Sequence, residues 1–301
     1  MIDRARLYAK TGRRAVHRYG VHPSGLFGPL DPRPVFIVGC PRSGTTFTAS
    51  ALGAVTGFAD LGEVSRLKAA IPELYGAAQD GRAEVVTKEL RTIVSRSQRA
   101  AMAARRRGIE QTPESTYLIP ELARAFPRAH FIHLLRDGRD VVASLIERGW
   151  LAGNAGHLVT ARAGGEAVDD AGHPFGGYAR FWVEPGRELE FEQASEPRRC
   201  AWAWRRYVTA ARTALAELPA DRVTTIRYET LTAEPEKVAR QLSAELGAPA
   251  SAAELAHALG SAHPRSVGRF TERIGTEHLG EVLAEIAALL ADLGYRAADS
   301  A

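Results

Sequence analysis

Cysteine, lysine and long apolar runs are all scarce in this chain of 301 residues. The two cysteines, Cys40 and Cys200, give no basis for a disulfide framework and show no metal-ligand spacing, so we expect a reducing compartment and no metal site. No apolar run approaches the roughly 20 residues that a membrane-spanning helix needs. The basic N-terminus is not followed by the apolar segment of a secretory signal. These absences predict a cytoplasmic protein.

Arginine supplies most of the positive charge, because only four of the 39 basic residues are lysine. The net charge of +4 suits an anionic ligand, although an ordinary solvated surface explains it equally well. Arginine binds phosphate in a bidentate fashion, but codon bias is another explanation of its excess. The apolar content of 45% and charged content of 25% are ordinary for a folded α/β protein of this length.

The chain is organised around an apolar run that leads into a loop bounded by glycines. Residues 35–38 predict a buried strand, and Gly39 and Gly44 bound a loop that precedes a predicted helix. Free backbone N–H groups and about half a positive charge from the helix dipole favour a phosphate group at such a helix start. Thr45 occupies the position at which a nucleoside triphosphatase has lysine, and Arg42 lies inside the loop. The segment therefore predicts a 5′-phosphate site without triphosphate or Mg²⁺ chemistry.

Strands alternate with helices along the rest of the chain. Two further strands are predicted at residues 130–135 and 223–228, and residues 58–61 fit an edge strand. This alternation predicts a three-layer α/β/α fold with a central parallel sheet. Helices are predicted at residues 1–20, 45–56, 63–79, 83–107, 116–126, 141–148, 199–218, 234–247, 251–259 and 276–293.

Polar side chains stand at the ends of the predicted strands. Gly39, Arg136 and Tyr228 end the three main strands, and ligands of parallel sheets bind at that edge. Ser144 lies on the helix after Arg136 and is able to reach back toward the start of that helix. A guanidinium and a hydroxyl together suit one phosphate group, whereas Arg136 alone is equally consistent with a structural salt bridge.

Two of these segments resemble motifs of the sulfotransferases that use 3′-phosphoadenosine 5′-phosphosulfate (PAPS). Residues 41–46, Pro-Arg-Ser-Gly-Thr-Thr, resemble the family's 5′-phosphosulfate loop, and most of all the version in protein-tyrosine sulfotransferases and the bacterial group related to them. Residues 131–144 resemble the family's 3′-phosphate motif. The resemblance covers residues 34–150 and, more weakly, 200–294. It implies the P-loop sulfotransferase fold, PAPS as cosubstrate, adenosine 3′,5′-bisphosphate as product, and no metal.

The resemblance also implies roles for individual residues. Glu63 matches the family's catalytic glutamate and would be the general base. The alternative is that Glu63 is only a carboxylate at a helix start, where the helix dipole favours negative charge. Arg42 would stabilise the leaving phosphate. Gln111 replaces the lysine that relatives carry before the pair Thr112 and Pro113, which leaves the contact to the transferring sulfonate unassigned. The implied cofactor-binding residues are Arg42, Ser43, Gly44, Thr45, Thr46, Arg136, Ser144, Tyr228, Ser266, Gly268 and Arg269.

We therefore predict one domain, residues 1–301, that transfers a sulfonate from PAPS to a hydroxyl acceptor by in-line displacement. Residues 1–33 form a basic helix and connector that either touch an anionic membrane or lie over the domain. Residues 149–198 form a long irregular insertion, interpreted as a lid and acceptor wall or as a purely structural segment. The acceptor is a small-molecule, glycan or lipid hydroxyl, and no nucleic acid is expected. The alternatives are a P-loop small-molecule kinase and a catalytically inactive nucleotide-binding protein.

Overall fold

The computed structural model describes residues 4–22, 33–149, 151–152, 180–248, 251–262 and 264–295. The strands are β1 (Val35–Val38), β2 (Phe58–Asp60), β3 (Arg107–Glu110), β4 (His130–Leu135) and β5 (Val223–Arg227). The helices before the insertion are α1 (Arg4–Tyr19), α2 (Thr45–Ala54), α3 (Ser65–Gln79), α4 (Ala83–Ala103), α5 (Ile119–Ala125) and α6 (Gly138–Ile146). The later helices are α7 (Glu188–Gln193), α8 (Glu196–Ala216), α9 (Tyr228–Ala233), α10 (Pro235–Glu245), α11 (Ala252–Leu259), α12 (Phe270–Arg273) and α13 (Thr276–Asp292). A 3₁₀ helix, Pro113–Leu118, precedes α5.

The strands of the described residues form one sheet of five parallel strands in the order β2-β3-β1-β4-β5. Alternate residues of β1 face opposite sides. Phe36 and Val38 pack into an apolar cluster with α3 and α4. Val35 and Ile37 pack into another cluster with α2 and α10. Burial on both faces explains why this strand reads as a continuous apolar run. The predicted parallel sheet with helices on both faces is confirmed.

Strand β3 is the main departure from the sequence-based expectation. The helix predicted over residues 83–107 ends at Ala103, and Arg105 adopts the left-handed conformation with φ 57° that is typical of helix ends. The chain then enters β3 between β1 and β2. Ile109 is the one large apolar residue of this strand, so no apolar pattern marks it. Its burial comes from the neighbouring strands, which sequence periodicity does not report.

The last predicted strand is also shorter than expected. Residues 223–228 were expected to be extended, but β5 ends at Arg227 and Tyr228 begins α9. The expectation that residues 58–61 form an edge strand is confirmed by the position of β2 at the end of the sheet. Of the insertion at 149–198, residues 150 and 153–179 lie outside the described residues, so its interpretation as a lid stays a prediction.

Helix α1 packs against α3 and α4 and is tied to the end of β2. Arg14 and Arg18 both form ion pairs with the buried carboxylate of Asp60. The Tyr19 hydroxyl accepts a hydrogen bond from the Asp60 backbone N–H at 2.8 Å, and Asp60 Oδ1 accepts one from the Gly62 N–H at 2.8 Å. Asp60 therefore connects α1 to the turn that precedes Glu63. Contact of the outer face of α1 with a membrane stays a prediction. Within the described segments, no helix combines the length and apolar character needed to cross a membrane.

We expect Asp60→Ala to lower the free energy of unfolding by about 2 kcal/mol, because two arginines and the Gly62 N–H lose a buried acceptor. Urea unfolding followed by circular dichroism measures this change. Asp80→Ala is the control, because the exposed Asp80–Arg82 pair should contribute less than about 1 kcal/mol. Equal effects of the two substitutions would show that Asp60 does not anchor α1.

Candidate functional site

Both glycines of the loop between β1 and α2, called here the phosphate loop (residues 39–44), are required by close contacts. Gly39 has φ 142°, and a Cβ atom there would lie 2.5 Å from the backbone oxygen of Leu134 on β4. Gly44 has φ 97°, and a Cβ atom there would lie 2.6 Å from the ring of Tyr228. Any other residue would be strained at these angles and would clash with its neighbour. The loop can therefore pack directly against the ends of β4 and β5.

Arg42 has an unusual backbone conformation inside this loop. It is not glycine, yet its φ is 74°. Its carbonyl accepts a hydrogen bond from Arg136 at 2.9 Å, and its Nε donates to Ser144 Oγ at 3.0 Å. Burial, followed by the positive charges of Arg148 and Arg136, lowers the pKa of the Arg42 guanidinium. Strained backbone and converging like charges are both typical of a site that binds an anion.

Arg136 joins the ends of three chain segments. Besides Arg42, it donates a hydrogen bond to the backbone carbonyl of Ser266. Its guanidinium lies 4.7 Å from the centre of the Tyr228 ring, and the Tyr228 hydroxyl lies 3.0 Å from Ser266 Oγ. The phosphate loop, the end of β5 and the late segment around Ser266 are therefore held together by one side chain.

These groups line a cleft of about 390 Å³. Ser43 is buried next to it, with 1% of its surface exposed. The predicted cofactor residues that line the cleft are Arg42, Gly44, Thr45, Thr46, Arg136, Ser144, Tyr228 and Ser266. The structure thus gathers residues from four separate parts of the sequence into one cleft, and their role in binding a nucleotide stays a prediction.

Gly268 and Arg269 do not line this cleft. The Arg269 side chain is bonded to Glu272 on the surface, and the Gly268 N–H donates to Asp140 at 2.8 Å. Asp140 also accepts a hydrogen bond from the Phe270 N–H at 3.1 Å, so this carboxylate anchors the late segment. The cofactor role of Gly268 and Arg269 stays a prediction. What the structure shows is that Asp140 fixes the backbone of their segment.

Sequence reasoning did not identify the two other charged residues of the cleft, Glu147 and Arg273. They form an ion pair of 2.7 Å at the cleft, although 126 positions separate them in the chain. Neither lies in a recognisable local motif, so only the fold brings them together. The cleft therefore carries both cationic and anionic groups at its edge.

Two buried donors at the site have no hydrogen-bond partner among the described residues. They are the Ser43 hydroxyl and the Nε of Arg136, whose residues are 1% and 7% exposed. An unpartnered buried donor is costly, and a ligand or a water molecule can complete its hydrogen bonds. A hydroxyl and a guanidinium N–H beside a helix start suit the oxygens of a phosphate group. The donor set therefore fits a phosphorylated ligand.

Glu63 does not line the cleft, but a chain of contacts connects it to the phosphate loop. The next residue, Val64, donates its N–H to Thr112 Oγ1 at 3.2 Å. The neighbouring Gln111 accepts a hydrogen bond from Thr46 Oγ1 at 3.2 Å through its side-chain oxygen. The segment that follows β3 therefore contacts both the residue after Glu63 and the start of α2.

Comparison with known proteins identifies the family. A model of the sulfotransferase family matches residues 34–170 and 175–252. A sulfotransferase domain from the curacin biosynthetic pathway has a TM-score of 0.54 and 16% identity, with 89% of this chain and 99% of that chain covered. Sulfotransferase STF9 from Mycobacterium avium has a TM-score of 0.51 and 16% identity, with 96% and 84% covered. Sulfotransferase STF1 from Mycobacterium tuberculosis H37Rv has a TM-score of 0.50 and 15% identity, with 92% and 81% covered. No curated protein sequence is significantly similar to this chain.

The family match includes the main features of the site. It spans more than half of the chain and contains the phosphate loop, Glu63, Arg136 and Ser144. The solved structures have too little sequence identity to show more than a shared fold, but that fold agrees with the parallel sheet described above. The protein is a member of the sulfotransferase family.

Proposed function

We propose that this sulfotransferase moves a sulfonate group from PAPS to a hydroxyl acceptor by in-line displacement, without a metal. The observation that carries the proposal is the cleft in which Arg42, Arg136 and Ser144 converge while Ser43 Oγ and Arg136 Nε remain buried donors without a described partner. A cleft with these donors suits a ligand with two separate phosphate groups.

The residues of the cleft divide between the two ends of such a nucleotide. The phosphate loop, with Thr45 and Thr46 at the start of α2, suits the 5′-phosphate because N–H groups and the helix dipole favour negative charge there. Arg136 and Ser144 suit the 3′-phosphate. Tyr228, which packs against Gly44 and Arg136, presents an aromatic ring to the nucleotide between them.

The proposed chemistry requires a base and a stabilised leaving group. When bound, PAPS supplies a sulfonate attached to a phosphate that can leave. Glu63 accepts the proton of the acceptor hydroxyl, and Arg42 offsets the charge that builds up on the departing phosphate. Thr46 is oriented by Gln111, which occupies the position of the family lysine and cannot supply a charge itself.

The acceptor and its surroundings are proposed more broadly. A small-molecule, glycan or lipid hydroxyl fits the reaction, and the insertion at 149–198 is proposed to form the acceptor wall. The basic α1 helix is proposed as a point of peripheral membrane contact for lipid acceptors. A cytoplasmic location is proposed as well, supported by the free, buried Cys40 and Cys200.

We expect adenosine 3′,5′-bisphosphate to bind at least about tenfold more tightly than adenosine 5′-phosphate, because Arg136 and Ser144 would gain the 3′-phosphate as a partner. Isothermal titration calorimetry, with ATP–Mg²⁺ as a third ligand, measures the difference. Equal affinity for the two adenosine nucleotides would contradict the proposal. Preference for ATP–Mg²⁺ would favour a small-molecule kinase, and tight bisphosphate binding without transfer from PAPS to any acceptor would favour an inactive nucleotide-binding protein.

A further inference from the structure

Lys68 carries a largely buried charge beside Glu63. It lies on α3, and its Nζ donates a hydrogen bond to Glu63 Oε2 at 2.5 Å. The Lys68 side chain is 9% exposed, whereas that of Glu63 is 36% exposed. A buried ammonium group needs a counter-ion, because an unpaired charge in this environment is strongly destabilising. If Glu63 takes up a proton from the acceptor, Lys68 loses the counter-ion that it has in this structure.

A second, buried carboxylate, that of Glu114, lies on the 3₁₀ helix that packs against α3. Glu114 is 3% exposed, and neither of its carboxylate oxygens has a hydrogen-bond partner in another of the described residues. Burial raises the pKa of Glu114 to about 7; the charge of Lys68 acts to lower it, and that of Glu63 to raise it. Glu110 has a pKa raised to about 7 by burial as well, but its carboxylate accepts three side-chain and backbone hydrogen bonds. Glu114 is therefore the carboxylate that still lacks a partner.

The groups that face Glu114 come from several elements. Lys68 belongs to α3, Glu63 precedes it, and Glu110 ends β3. Tyr117 and Tyr207, whose ring centres lie 4.9 Å apart, interact electrostatically with Glu114, and burial raises the pKa of each tyrosine well above its usual value. Both phenols are therefore neutral at physiological pH. Lys68 is the cation whose charge acts on both carboxylates.

We propose that Lys68 is a counter-ion shared by Glu63 and Glu114, and that Glu114 takes over the ion pair when Glu63 is protonated. The proposal rests on the proposed role of Glu63 as the general base. In the transfer step, the acceptor O–H bond breaks and its proton goes to Glu63. The electron pair stays on the acceptor oxygen, which attacks sulfur, and the bond from sulfur to the leaving phosphate oxygen breaks with its electrons on that oxygen. Glu114, whose pKa is raised to about 7, releases its own proton to solvent as it takes over the ion pair. Lys68 and Glu114 are positioning residues that act through Glu63.

The dependence of stability on pH reports the ionisation of Glu114 without any acceptor. The pKa of Glu114 in the folded protein is raised above the unfolded value of about 4.3. Its contribution to stability is therefore fully present below about pH 4.3 and is lost as pH rises to about 7. Comparing each protein with its Glu114→Gln counterpart isolates this contribution to first order, because Glu110 is present in both and acts on Glu114 more weakly than Lys68 and Glu63 do. The pH at which the difference levels off marks the ionisation of Glu114.

We expect this levelling pH to follow the state of Glu63 and Lys68. It should lie near pH 7 in the wild-type background. In the Glu63→Gln background, which mimics the protonated base, it should fall by about one pH unit, because Glu114 gains Lys68 for itself and loses a negative neighbour. In the Lys68→Met background it should rise by a similar amount, and Lys68→Arg should restore the wild-type value. Urea unfolding between about pH 5 and 9 measures all four backgrounds.

Glu89→Gln is the matched control. Glu89 lies on α4 and pairs with Arg66, which is on the same helix as Lys68, so the substitution is expected to leave the levelling pH unchanged. The same levelling pH in the wild-type, Glu63→Gln and Lys68→Met backgrounds would overturn the proposal. If Glu114→Gln does not fold, the whole pH profile of Lys68→Met against that of the wild type decides the question, and identical shapes would overturn it. Calorimetry with adenosine 3′,5′-bisphosphate separates the two proposals, since failure of the nucleotide to bind would refute PAPS use without altering these pH profiles.

Discussion

Glu63→Gln is expected to reduce kcat by roughly 10²–10⁴-fold, the range over which a positioned general base contributes. Glutamine keeps the size of the side chain and can still accept a hydrogen bond from Lys68, but it cannot take up a proton at physiological pH. Glu63 does not line the cleft proposed to bind the nucleotide, so affinity for adenosine 3′,5′-bisphosphate should change by less than about threefold. Transfer of radiolabelled sulfonate from PAPS to an acceptor used by the wild type measures kcat, and calorimetry measures binding.

Glu73→Gln is the control for this substitution. Glu73 lies on α3, close in sequence to Glu63, but it is exposed and takes no part in the contacts of Val64 with Thr112 or of Gln111 with Thr46. Its replacement should leave kcat unchanged. Turnover retained by Glu63→Gln would remove Glu63 from the role of base. Loss of turnover together with loss of bisphosphate binding would instead show that Glu63 supports the shape of the cleft.

The parts of the site that could be predicted from the sequence are those with local causes. The glycines of the phosphate loop are required by positive φ angles and by contacts with the adjacent strand ends. Their spacing can therefore be recognised in the sequence. Arg136 and Ser144 lie on one strand-to-helix unit, and a single local geometry relates them. Strands β1 and β4 are buried along their whole length, so β1 is uniformly apolar and β4 is apolar except at His130 and His133.

The parts that could not be predicted depend on contacts between distant segments. Strand β3 has one large apolar residue and is buried by its neighbours rather than by its own pattern. Asp140 lies in the first turn of α6, where a carboxylate needs no distant partner, but it accepts hydrogen bonds from the backbone of a segment far along the chain. Lys68 and Glu114 are ordinary helix residues in sequence, and only their burial beside Glu63 distinguishes them. The electrostatic environment of a side chain is set by residues from several segments, so it cannot be derived from one stretch of the chain as periodicity can.

Arg136→Ala is expected to weaken binding of adenosine 3′,5′-bisphosphate by roughly 30–1,000-fold, which corresponds to the loss of about 2–4 kcal/mol of charge-assisted hydrogen bonding. The proposed 3′-phosphate contact predicts a much smaller effect on adenosine 5′-phosphate. Arg136 also holds the carbonyl groups of Arg42 and Ser266, so part of the loss will come from a loosened phosphate loop. The ratio of the two nucleotide affinities removes this shared part, and calorimetry with both ligands provides it.

Two further variants separate charge from shape at Arg136. Arg136→Lys keeps the positive charge but cannot donate to two carbonyls and a phosphate in the fixed geometry of a guanidinium, so it should recover only part of the bisphosphate affinity. Arg124→Ala removes an exposed arginine that pairs with Glu121 away from the cleft and should leave both affinities unchanged. A proportional loss of both nucleotides in Arg136→Ala would mean that this arginine shapes the phosphate loop and that another group recognises the 3′-phosphate. A selective loss of the bisphosphate would place the 3′-phosphate at the unpartnered Nε of Arg136, where the structure leaves a buried donor.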